Sequence, residues 1–164
     1  MDSLRSPDVI RYTDRSVAYL VRNDGRLLVN VHANEERPWE QSGLQVPKGG
    51  IHPGETPEEG ALRELAEETG LTDVRVVRYL GSDEYDLRPY MDMVMHRHFF
   101  HLAIDGPVPD EWDYWEMGGA NEVRDDGGVC LRHYWLDISQ CHALAGGLGA
   151  MLGRLAESLA VESP

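Results

Sequence analysis

Lysine is almost missing from this chain. Of its fifteen basic residues fourteen are arginine, and Lys48 stands alone. Positive charge is scarce overall: 29 acidic residues leave a formal net charge of −14. Such a surface repels nucleic-acid backbone and anionic lipid, so a long polyanion is disfavoured as the main partner. A small anionic substrate stays open if metal ions neutralise its site locally. The two cysteines, Cys130 and Cys141, match no zinc or redox spacing and read as reduced thiols. No apolar run approaches the ~18 residues of a membrane-spanning helix. Met1-Asp2-Ser3-Leu4-Arg5 leads into no apolar stretch, so no secretory signal is expected and the expected location is cytoplasmic. Internal repeats and low-complexity tracts are absent too. What is present is a globular composition, 41% hydrophobic and 27% charged over 164 residues. One domain spanning 1–164 is expected, with residues 1–12 as a polar N-terminal arm.

Residues 16–22 read as a strand, Asn23-Asp24-Gly25 as a turn, and 26–32 as the returning strand of a hairpin. A polar loop over 33–43 leads to a short extended piece, Leu44-Gln45-Val46-Pro47. A Gly/Pro-rich loop covers 48–54. Residues 73–80 and 93–104 are strand-like, 107–128 reads as a long acidic loop, and 129–136 as a further strand. From Ile138 to Val161 the apolar spacing is helical, although four glycines interrupt it. Strands mixed with two helices indicate a layered α/β domain, and the early hairpin makes its sheet mixed rather than purely parallel.

Thr56-Pro57-Glu58-Glu59 is a strong helix start: an N-cap, a proline at the first helical position, and a glutamate completing a capping box. The helix is expected to run to Thr69, with Gly70 as its C-terminal stop. On a wheel, Ala61, Leu62, Leu65, Ala66 and Thr69 gather on a face that packs on the sheet. Glu64, Glu67 and Glu68 gather on the opposite face. Three carboxylates within a turn repel one another and oppose the helix dipole. Either they form a solvated acidic face, or they form a site for a hard cation such as Mg²⁺ or Mn²⁺.

From Gly49 to Leu71 the sequence is GGIHPGETPEEGALRELAEETGL. It resembles the Nudix box, G-x5-E-x7-R-E-U-x-E-E-x-G-U, where U is aliphatic. The match holds at Gly49, Glu55, Arg63, Glu64, Leu65, Glu67, Glu68, Gly70 and Leu71. The resemblance implies a Nudix-type α/β/α sandwich with a mixed sheet, a box helix at about 57–69 and a C-terminal helix. It implies hydrolysis of a nucleoside diphosphate linked to a group X, with Mg²⁺ or Mn²⁺ as cofactor. By matching position, Glu67 and Glu68 are expected metal ligands, Glu64 a ligand or the general base, and the Gly49 carbonyl a further ligand. Arg63 and Glu55 are expected to hold loop against helix, and Gly70 to end the helix.

Outside the box, Lys48 either reaches a substrate phosphate or is an ordinary surface lysine. Family members often add a loop carboxylate. The stretch 107–128 offers Asp110, Glu111, Asp113, Glu116, Glu122, Asp125 and Asp126, of which Glu122 and Asp126 are favoured. Trp112 and Tyr114 either stack on a purine or pack as a lid or dimer contact, and Trp39 shares that ambiguity. His96 and His98 share a strand face and His101 points the other way; they match no zinc spacing and read either as ordinary strand histidines or as a phosphate or base contact. The substrate expectation leans to nucleoside or dinucleoside polyphosphates. The alternatives are an ADP-ribose or nucleotide-sugar pyrophosphatase and a non-catalytic nucleotide-sensing module. A homodimer is compatible with the resemblance.

Overall fold

A computed structural model describes residues 9–34, 43–116 and 128–162. Its centre is a seven-stranded sheet. The strands are β1 (Arg11–Arg22), β2 (Leu27–His32), β3 (Lys48–Gly50), β4 (Arg75–Asp86), β5 (Met93–Ile104), β6 (Glu111–Glu116) and β7 (Val129–Leu136). Their order is β4-β5-β1-β2-β7-β6, with β3 pairing on β1. Among the described strands only β1 and β5 pair in parallel, in register from Arg11↔Met93 to Arg22↔Ile104. Helix α1 (Pro57–Thr69) follows β3, and helix α2 (Leu152–Glu162) follows β7 after a short 3₁₀ turn, Ile138–Ala143.

Alternation along the strands makes two cores. Val17, Tyr19, Val29 and Phe99 point to the side covered by Leu144, Leu148 and Leu155. Ala18, Leu20, Leu28, Phe100 and Leu102 point to the side covered by Ala61 and Leu65 of α1. The sheet is therefore a middle layer, with α1 on one face and the C-terminal segment on the other, as an α/β/α sandwich requires. No helix among the described residues is long and apolar enough to cross a membrane.

The hairpin lies where the turn chemistry placed it, with Gly25 at φ 84°. Helix α1 has both halves of the capping box at Thr56 and Glu59, and Gly70 ends it at φ 79°. Four expectations change. The acidic stretch after Pro107 is not all loop: residues 111–116 form edge strand β6, paired along β7 from Glu111↔Tyr134 to Glu116↔Val129. Lys48–Gly50, expected as loop, forms β3. The arm yields to strand at Arg11, because β1 pairs with β5 along its whole length.

The long C-terminal helix is the fourth correction. Gly146 and Gly147 have φ of 60° and 66°, which a right-handed helix does not allow. Their carbonyls accept from the buried Arg97 guanidinium, at 2.7 and 3.1 Å, while its Nε and Nη2 also donate to Asp83. The glycines are there so that backbone can wrap a buried cation, and the helix starts only afterwards, at Leu152.

Candidate functional site

The helical wheel puts Glu64, Glu67 and Glu68 of α1 away from the sheet. The structure corrects this for two of them: Glu64 and Glu68 are buried, 7% and 8% exposed. The buried stripe of α1 is Gly60, Ala61, Glu64, Leu65, Glu68 and Thr69. It is wider than an apolar count shows because β3 and β6 also pack against the helix. Gly49 explains how β3 comes so close. A Cβ at that position would overlap the Glu64 carboxylate. The backbone N–H of the preceding Lys48 donates to Glu68 Oε2 at 3.0 Å.

From the other side comes β6. Successive residues of a strand alternate, so Trp112, Tyr114 and Glu116 face α1 together. The Trp112 indole N–H donates to the Thr69 carbonyl at 3.1 Å. The Tyr114 ring lies where a side chain on Gly70 would be, 2.7 Å from the position of a Cβ. Glu116, the last residue of the strand, brings a third carboxylate to Glu64 and Glu68. One oxygen of each of the three lies within 4.8 Å of the others.

Arg63 braces this cluster from the exposed side. Its Nε and Nη2 donate to the two oxygens of Glu55 at 2.8 and 3.0 Å, and Nη2 also donates to the Gly50 carbonyl at 2.7 Å. Its Nη1 donates to Glu64 Oε1 at 2.8 Å and Glu67 Oε2 at 3.1 Å. This guanidinium thus sets loop, helix and three of the four box carboxylates, Glu55, Glu64 and Glu67, relative to one another. It also holds the Glu55 carboxyl below its usual range, helped by the His52 N–H. Glu67, bonded to Arg63, stands beside the buried cluster rather than in it.

The electrostatics set Glu64 and Glu68 apart from surface carboxylates. Burial pushes the Glu64 carboxyl up, against the pull of Arg63. Burial pushes Glu68 well above the carboxylate range, with repulsion from Glu116 and Glu64 adding to it and Lys48 opposing it. Buried carboxylates brought this close need positive charge, either protons or a cation. Oxygen donors of this hardness, clustered at this spacing, fit Mg²⁺ or Mn²⁺.

His133 is a residue that sequence reasoning missed. It is fully buried on β7, and its Nε2–H donates to the Glu68 carbonyl at 2.8 Å. Its ring lies against Trp112, centroids 5.0 Å apart. It ties down the last turn of α1 directly behind Glu68, and nothing in the sequence around it marks that role. Glu116 did have a signal: Trp112, Tyr114 and Glu116 follow period two. Of the two candidate aromatics, Trp112 packs against His133 and Trp135, whereas Tyr114 keeps an exposed edge, 37%. Glu122, Asp125, Asp126 and Trp39 lie outside the described residues.

A family model described as NUDIX domain matches residues 12–138. The RNA pyrophosphohydrolase of Brucella abortus (strain 2308) is 41% identical over 73 residues, which are 43% of this chain and 36% of that protein. The chain thus spans little more than a third of the length of the curated relative it matches. Among solved structures, the MutT protein from Methanosarcina mazei Go1 superposes with TM-score 0.60 at 18% identity, covering 96% of this chain and 99% of that one. A binary complex of the Ap4A hydrolase of C. elegans superposes with TM-score 0.61 at 16% identity, covering 91% and 98%. At those identities the superpositions speak for the fold alone. The family match covers most of the chain, including all but the first residue of the seven described strands and the helix that carries the carboxylates, and the chain belongs to the Nudix family.

Proposed function

We propose that this chain is a metal-dependent pyrophosphohydrolase acting on nucleoside or dinucleoside polyphosphates. The observation that carries the reading is the convergence of Glu64, Glu68 and Glu116, two of them buried, next to the chain's sole lysine. A divalent ion, when bound there, supplies positive charge against the negative charge that develops on the phosphoryl oxygens. Glu68, Glu67 and the Gly49 carbonyl are the ligands expected from the box, and Glu116 joins Glu64 and Glu68 as a further donor.

Glu64 is the candidate base. A carboxylate whose affinity for protons is raised by burial is better matched to taking one from a water that attacks phosphorus. As the new phosphorus–oxygen bond forms, the bridging anhydride bond breaks and the second phosphate leaves with its electron pair. The positive charge of Lys48 acts on Glu68, which supports its ammonium as the donor to a phosphate oxygen. Arg63 and Glu55 are positioning residues. Tyr114, with its exposed edge, is the better candidate to meet a base.

A second reading is favoured by the relative named RNA pyrophosphohydrolase: removal of pyrophosphate from the 5′ end of an RNA. The net charge of −14 works against long RNA, although not against a short 5′ end. One experiment separates the readings. The Mg²⁺-loaded protein is offered dinucleoside polyphosphates, nucleoside triphosphates, ADP-ribose, a nucleotide sugar and a 5′-triphosphorylated oligonucleotide in ¹⁸O-water. Products then locate the broken bond. Turnover of polyphosphates with the label on one phosphate product is expected. Preference for the oligonucleotide selects the second reading. Binding without turnover of any of them overturns both in favour of a sensor.

A further inference from the structure

Away from the carboxylate cluster, three metal-competent side chains meet on the face of the sheet that also carries α1. β1 and β5 run in parallel register with Asp14 opposite His96, and His98 stands two residues further on the same face of β5. One ligand atom from each of Asp14, His96 and His98 lies within 4.8 Å of the others. His96 Nδ1 is 3.1 Å from Asp14 Oδ1, and His98 Nε2 is 3.8 Å from the same oxygen. Two donors bound about 2.0–2.1 Å from one tetrahedral ion stand roughly 3.4 Å apart, so these separations bracket what such an ion requires.

Two further features belong to a ligand site rather than to a simple ion pair. The Tyr79 hydroxyl is 3.0 Å from His98 Nδ1. In the tautomer where Nδ1–H donates to that hydroxyl, the Nε2 lone pair points towards Asp14, and the ring orientation is fixed from outside. The His96 and His98 rings also lie together, centroids 4.5 Å apart, so both imidazoles are presented to Asp14 at once.

We infer that Asp14, His96 and His98 form a second cation site, selective for a borderline transition-metal ion of the Zn²⁺ class. Two nitrogens and one oxygen suit Zn²⁺ or Co²⁺, whereas Mg²⁺ prefers the all-oxygen cluster of Glu64, Glu68 and Glu116. The site shares no residue with that cluster. Its three protein ligands leave a fourth position to water or to an anionic ligand. Asp14 and His96 are exposed enough for an ion to enter from solvent.

The test is a titration of the whole, metal-free protein with Zn²⁺ and with Co²⁺. Mg²⁺ is present in large excess, so that the all-oxygen cluster does not compete. Calorimetry gives stoichiometry, and the visible absorption of Co²⁺ reports nitrogen coordination. One Zn²⁺ per chain is expected. Affinity should fall roughly 10-fold or more in Asp14→Asn and roughly 100-fold or more in His96→Asn/His98→Asn, with the Co²⁺ band lost. His142→Asn, an exposed histidine elsewhere, should bind as the unaltered protein does. Asp14→Asn alters one exposed side chain and decides the matter even if the double variant does not fold. Wild-type affinity in Asp14→Asn, or no Zn²⁺ bound by the unaltered protein, overturns the inference.

Discussion

Glu68 is bound from both ends. Its side chain accepts from the Lys48 N–H, and its carbonyl accepts from buried His133. Replacing it with Gln removes a charge that burial already makes costly, so the fold should survive while the cation site does not. Glu68→Gln should lower kcat by about 10³-fold or more and weaken Mg²⁺ binding, with an unchanged circular dichroism spectrum. Near-wild-type turnover would contradict the assignment. Glu116→Gln should cost about 10–100-fold in Mg²⁺ affinity. Lys48→Met should raise KM for polyphosphates without weakening metal binding; an unchanged KM would make Lys48 a bystander.

The elements around α1 fix where those residues stand. Gly70 must turn left-handed at φ 79°, and its vacant side leaves room for the Tyr114 ring. Gly70→Ala adds the left-handed cost of about 1–2 kcal/mol to a clash, and should lower the urea midpoint more than Gly54→Ala. Gly54 has a similar φ of 78° but open space around it, so equal losses would show that the Tyr114 contact is unimportant. Here the sequence was legible where the signal is local. The Thr56-Pro57-Glu58-Glu59 start, the Gly70 stop, the Asn23-Asp24-Gly25 turn and the spacing of Glu64, Glu67 and Glu68 all depend on neighbours a few residues away. It was illegible where the cause is distant. Gly146 and Gly147 serve Arg97, about fifty residues earlier, so an apolar helical period hid a wrapped turn. Glu64 and Glu68 are buried because β3 and β6 cover a helix face that looked solvated. β6 itself was hidden because its pairing with β7 compensates for a strongly acidic edge, through bonds such as Arg132 to Asp113 at 2.8 Å.

Across the molecule, two buried histidines couple stability to pH. Burial lowers both His101 and His133 from the ordinary 6.5 to about 4. Unfolding exposes them, so between those values the unfolded chain takes up protons that the folded chain does not. Their contribution is fully present above 6.5 and is lost as pH falls towards 4, each at a slope of up to about 1.4 kcal/mol per pH unit. The raised carboxyls of Glu64 and Glu68 act in the opposite sense and are common to any histidine variant. His101→Asn should therefore flatten the fall of the urea midpoint between pH 6.5 and 4.5 relative to the unaltered protein; an equally steep fall would refute this coupling.

The central claim is that the carboxylates converging at the end of α1 hold a divalent cation. Mn²⁺ binding, followed by electron paramagnetic resonance in the unaltered protein and in Glu64→Gln/Glu68→Gln, tests it most directly. Tight, saturable Mn²⁺ binding is expected, displaced by Mg²⁺ and lost in the double variant while that variant stays folded. Equal Mn²⁺ binding in the two folded proteins would contradict it.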